Sequence, residues 1–239
     1  MTELRTSLET RREEFDAHYA LAEALENRMI LEAGTPLGAV NISARHINTL
    51  KSGLIVHLYN IEEAIMTQII QQLGIALGSV DPRRWSEYSF KEWLRESIVS
   101  RTTEGNEDGR LETVFASSSL LLASSSLGPQ ALKKPSGTWD DKVIATFARR
   151  MNARFDLPPE MWQRIAPSEA FGESSSPLQF LARRRNAIAH GVRSFEDGAS
   201  DMSLARIRVL ADITLDYMGY AVDAFTSHIE NEAHLVPAA

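Results

Sequence analysis

Cysteine is missing from all 239 residues of this chain, which excludes disulfides, thiolate metal sites and cysteine nucleophiles. Long apolar runs are missing too. Nothing approaches the roughly 18 residues needed to span a bilayer, and Leu120-Leu121-Leu122-Ala123, set between serine triplets, is far too short. The stretch from Met1 to Asp16 is charged and lacks the apolar core of a signal peptide, so a soluble cytoplasmic protein with no membrane partner is expected. His18, His46, His57, His228 and His234 are scattered without ligand spacing, and no His-Glu-x-x-His occurs; no metal or cofactor is expected. Gly34 to Gly38 does not match a phosphate-binding loop, and Gly-x-Ser-x-Gly does not occur, which excludes standard ATP hydrolysis and an esterase elbow. Nor is there a general excess of positive charge. The formal net charge of -7 argues against a nucleic-acid coat protein, so any nucleic acid must be held by a local basic patch.

What is present is helical periodicity, with no convincing alternating strand pattern. It predicts one all-helical domain over residues 1–239, with an N-terminal helix and loop at 1–42 and a bundle at 43–239. The first helix covers about Leu4 to Ala33, with Leu4, Leu8, Phe15, Tyr19, Ala22, Leu25 and Met29 on one side, and ends at Gly34, Pro36 and Gly38. A second covers about Ser43 to Leu77, with a stripe of Ile47, Leu50, Leu54, Leu58, Ile61 and Ile65. Further helices are predicted over Trp85–Thr103, Leu111–Leu127, Asp140–Ala153 and Pro159–Ile165, with a polar loop at 104–110. Ser174 to Ser176 offer an N-cap and Pro177 a first turn for the next helix, which stops near His190 because Gly191 follows. The last helix is expected over Ser203–His234, with Leu204, Ile207, Leu210, Ile213, Tyr217, Tyr220, Ala224 and Phe225 inward. The long apolar stripes of the second and last helices are what a bundle core needs.

Between Arg183 and Arg193 the chain carries four arginines and one histidine with no acid. Guanidinium binds phosphate oxygens bidentately and stays charged, and imidazole titrates near neutrality. On a helix Arg183, Asn186 and His190 share one face, whereas Arg185 sits well round from His190 unless the helix unwinds before Gly191. Either Arg183 or Arg185 can therefore face a phosphate. Basic residues at a helix end also favour the macrodipole, which is the plain structural alternative.

The order Arg185-Asn186-x3-His190 with an Ala-His-Gly ending resembles the signature of the HEPN family (higher eukaryotes and prokaryotes nucleotide-binding), helical bundles rich in metal-independent ribonucleases. Leu58-Tyr59-Asn60-Ile61-Glu62-Glu63-Ala64, Ser136-Gly137-Thr138-Trp139-Asp140 and Ser194-Phe195-Glu196 resemble segments of stand-alone members from prokaryotic conflict systems. The resemblance implies Arg185, Asn186 and His190 as the catalytic set; Arg183, Arg184, Arg193, Tyr59, Asn60 and Glu62 are expected to support it or the substrate. It implies RNA as substrate, a homodimer with a composite site, no cofactor, and an antitoxin or other defence-system protein as partner. The implied chemistry is attack of a 2′-hydroxyl on the adjacent phosphate, yielding a 2′,3′-cyclic phosphate and a 5′-hydroxyl. A HEPN-like module that only binds nucleotide, RNA or protein is the alternative. One departure stands out. In the members paired with nucleotidyltransferase antitoxins a modified tyrosine follows the histidine by two positions, and here that position is Val192.

Glu62 shares an apolar stripe with Ile55, Tyr59, Met66, Ile69 and Leu73, where a carboxylate is costly unless paired. An arginine of the 183–185 cluster is one expected partner, and escape to solvent beside Glu63 is the other. Arg83-Arg84 and Arg149-Arg150 are read as solvated pairs or as an extension of an RNA track.

Overall fold

The computed structural model describes residues 2–31, 37, 41–103, 105–123, 125–172 and 174–237. Among these the chain forms an all-α helical bundle of eight α-helices with only isolated β-bridges. They are α1 (Glu3–Leu31), α2 (Ala44–Gly78), α3 (Glu87–Leu94), α4 (Glu107–Ala123), α5 (Asp141–Met151), α6 (Pro159–Ile165), α7 (Pro177–Ala189) and α8 (Leu204–Glu230). No helix among the described residues is long and apolar enough to cross a membrane. The expected stops of the first helix at Gly34, Pro36 and Gly38 lie outside the described residues, as do Glu104 and Ser124.

The chain divides into two compact units. The first comprises Met1–Ile65, Thr138–Asp141 and Leu157–Gly219. Here α1 buries Leu4, Leu8, Phe15 and Ala22, a spacing that keeps one face of the helix inward. The first part of α2 buries Ile47, Leu54, Ile55, Leu58, Tyr59, Ile61, Glu62 and Ile65, which takes in both apolar stripes as far as Ile65 except Leu50, which is half-buried. Ion pairs join its helices. Asp216 on α8 accepts from Arg12 at 2.9 Å and Arg164 at 2.8 Å, and Lys51 meets Glu26 at 2.8 Å.

The second unit comprises Met66–Gly137, Lys142–Asp156 and Tyr220–Ala239. The loop after α4 lies on the end of α2: Gly128 N–H donates to Gly78 O at 3.1 Å and Gln130 N–H to Gly74 O at 2.9 Å. The approach is so close that a Cβ on Gly74 would stand 1.9 Å from the Gln130 carbonyl oxygen, so only glycine fits there. Glu92 is 1% exposed and held by Arg150 (Nε to Oε1 2.8 Å, with a second contact to Oε2) and Arg95 (2.8 Å). Arg150 therefore serves a buried carboxylate, and Arg83 and Arg84 pair with Asp81 and Glu232. These arginines do not form a free basic track.

Several boundaries differ from the periodicity. The helix expected over Trp85–Thr103 is broken: Ser86 caps α3, accepting from Ser89 N–H, and a π-helical segment follows at Arg95–Val99. The expected 104–110 loop is shortened because Asn106 accepts from Gly109 N–H at 2.9 Å and starts α4 early. That helix buries no residue and ends at Ala123. Helix α8 stops at Glu230, not near His234, since Glu232 takes a left-handed φ of 51° and Leu235 bridges to Trp85. Tyr220, expected inside, is 37% exposed.

Candidate active site

The motif helix α7 starts as its sequence dictates. Ser176 Oγ accepts from Gln179 N–H at 3.1 Å, Pro177 occupies the first turn, and Ser176 also donates to Asp141. Its end is equally local. The helix keeps α geometry through Ala189, His190 is the C-cap at φ −93°, ψ 6°, and Gly191 follows at φ +71°. A left-handed residue here costs a side-chain-bearing amino acid about 1 kcal/mol and glycine nothing. The turn closes with Gly191 N–H to Ile188 O at 3.1 Å and Arg193 N–H to Ala187 O at 2.9 Å. His190 is thereby left exposed at the helix end, with Val192 80% and Phe195 47% exposed after it.

The three arginines go to different places. Arg183 donates to Ser175, back at the start of its own helix. Arg184 is only 9% exposed; it chelates Asp201 (2.7 and 2.9 Å), donates to Gly198 O at 3.0 Å and lies 4.9 Å over the Phe180 ring. Its hydrogen bonds hold the Asp201 carboxyl below its ordinary pKa. Arg184 therefore pins the turn after the motif, and Arg193 helps through the Asp197 carbonyl at 3.3 Å.

Arg185 leans onto α2. Its guanidinium carbon lies 4.5 Å from the centroid of the Tyr59 ring, Nη2 meets Glu63 Oε2 at 3.3 Å, and Nη1 donates to Asn186 Oδ1 at 3.2 Å. Asn186 in turn donates to Thr138 Oγ1 at 3.0 Å. Tyr59, 1% exposed, accepts from the Trp139 N–H at 3.2 Å. Burial, then the nearby Glu62 and Glu63, raise the Tyr59 hydroxyl pKa well above its ordinary value, so it stays protonated. Three separated stretches thus meet: Tyr59 and Glu63 from α2, Thr138 and Trp139 from the segment before α5, and Arg185 and Asn186 from α7.

Of the two readings of Glu62, escape to solvent is overturned, because the residue is fully buried; Arg185 pairs with Glu63, one residue on. Asn60 is exposed. Sequence reasoning missed Glu63, Thr138, Ser175 and Asp201. Glu63 and Thr138 lie inside the segments that carry the resemblance, which was their signal, although neither was given a site role.

Chemically, the cluster offers a part-exposed guanidinium whose direction is set by an aromatic face, a carboxylate and an amide. A solvent-reachable imidazole lies beyond it at the helix end. Comparison of the chain with protein-family models, curated proteins and solved structures finds no match.

Proposed function

We propose that this chain is a HEPN-type, metal-independent endoribonuclease acting as a homodimer in antiphage defence or a toxin–antitoxin pair. The observation that carries the reading is the fixed Arg185–Tyr59–Glu63–Asn186–Thr138 cluster, with His190 exposed past it. In this reading a ribose 2′-oxygen forms its bond to the adjacent phosphorus as the P–O5′ bond breaks. His190 exchanges the proton, as base toward the 2′-hydroxyl or acid toward the 5′-oxygen. Arg185 stabilises the charge of the phosphorane, and Asn186 orients it. Arg185 and His190 are five residues apart, about 140° round a regular helix. A second copy that contributes its own motif supplies the missing group and the extra positive charge an acidic protein needs to hold RNA.

The test is incubation of purified protein with RNA in excess chelator, beside His190→Ala. Cleavage by wild type alone, leaving cyclic phosphates and 5′-hydroxyls, is expected. His190 is exposed, so the variant keeps its Tm within about 1–2 °C. DNA, which lacks the nucleophile, stays intact. The engagement of Arg185 by Glu63 favours a second reading, a module that binds RNA without cutting it; binding without scission by wild type selects it and refutes the enzyme.

A further inference from the structure

The histidines that lack ligand spacing in the sequence do not all stay apart in the fold. His18 on α1 and His57 on α2, both in the first unit, bring their Nδ1 atoms to 3.1 Å with ring centroids 4.9 Å apart and ring planes at 55°. Two imidazole nitrogens bound to one ion stand about 2.9–3.4 Å apart, for bonds of about 2.0–2.1 Å and ligand angles from square to tetrahedral. The observed spacing falls inside that window. An end-to-end N–H···N hydrogen bond would hold the centroids about 5.4 Å apart. The shorter 4.9 Å, with ring planes at 55°, shows that the rings are canted rather than end to end.

The surroundings suit a cation that water can reach. His18 is exposed, and His57 is half-buried with its ring set by the fully buried Phe15 at 5.8 Å. Burial and then His18 lower the His57 pKa. Glu14, one turn before His18, attracts positive charge to this point and Arg11 opposes it. No three His, Asp or Glu side chains already converge on a metal-sized point among the described residues. The arrangement is therefore a two-ligand clamp that leaves the other positions to water.

We infer that His18 and His57 form a binding site for a borderline transition-metal ion of the zinc, nickel or copper class, clamping α1 to α2. Hard ions such as magnesium and calcium prefer oxygen ligands and are not held. The site is separate from the motif helix and takes no part in the proposed RNA chemistry. Its occupancy acts on the anchoring of the N-terminal helix.

The probe is zinc chloride, titrated calorimetrically into the untagged full chain at neutral pH, with thermal melts alongside. Wild type binds one zinc per chain, and at a hundredfold excess over Kd its Tm rises by about 5–10 °C. His18→Ala, at an exposed position, and His57→Gln each weaken binding roughly tenfold or more, because either leaves a single imidazole. His46→Ala and His190→Ala bind as wild type. Circular dichroism verifies each fold, and if His57→Gln is unfolded the His18→Ala result decides alone. Zinc affinity unchanged in His18→Ala, or no binding to wild type at 1 mM zinc, overturns the inference. RNA cleavage in chelator is read separately, so failure of one proposal leaves the other standing.

Discussion

The seat of Arg185 on Tyr59 can be measured with two substitutions that share one loss. Tyr59→Phe and Tyr59→Leu both remove the hydroxyl that accepts from the buried Trp139 N–H. An orphaned buried donor costs about 1–2 kcal/mol, or about 2–8 °C in Tm for a chain of this size. Phenylalanine keeps an aromatic face 4.5 Å beneath the guanidinium, whereas leucine does not. A partly desolvated cation–π contact contributes about 0.5–2 kcal/mol. If that contact orients Arg185 equally in the reacting complex, its loss slows the chemical step by about 2- to 30-fold. The assay is single-turnover RNA cleavage in chelator at a temperature below both melting points, with folding checked by circular dichroism. Tyr59→Leu should cut at least about twofold more slowly than Tyr59→Phe. Equal rates for two folded variants would refute the idea that the ring aims the guanidinium for catalysis.

Two further predictions concern stability. Arg150→Met strips the principal partner from the buried Glu92 and should cost about 3–5 kcal/mol, against under 1 kcal/mol for Arg95→Met at a half-exposed position; thermal melts of the pair check the contrast. His228, whose pKa burial and then His234 push down to about 4, should make folding sensitive to acid. The unfolded chain, with the ordinary pKa near 6.5, binds the proton first as pH falls. Stability is complete above about 6.5 and declines down to about 4, by roughly 3 kcal/mol in all. His228→Gln should flatten that part of the curve of urea midpoint against pH.

Helical periodicity alone carried much of the fold, because 3.6-residue spacing of apolar side chains is written locally. Pro159–Ile165 and the Ser176–Pro177 start of α7 were legible from the proline and the cap. Breaks set by tertiary contacts were not. The π segment after Leu94 and the early stop of α8 leave no mark in an apolar stripe. At the site, the spacing along α7 gave the motif and the α2 segment gave Tyr59, but the choice of carboxylate beside it was out of reach. Glu62 and Glu63 both lie within one turn of Tyr59 and differ by about 100° around α2, so periodicity alone does not choose between them. The meeting of Asn186 with Thr138, 48 residues away, is likewise a property of packing.

The division of the chain has a practical sequel for anyone trimming it. Each compact unit is stitched from three stretches that alternate along the sequence, and both α2 and α8 change unit partway along their length. No single truncation delivers one unit intact. A C-terminal deletion ending before α8 would strip turns of helix from both, and with them Asp216, the acid to which α1 and α6 are tied. Dissecting this protein therefore calls for point substitutions in the full-length chain.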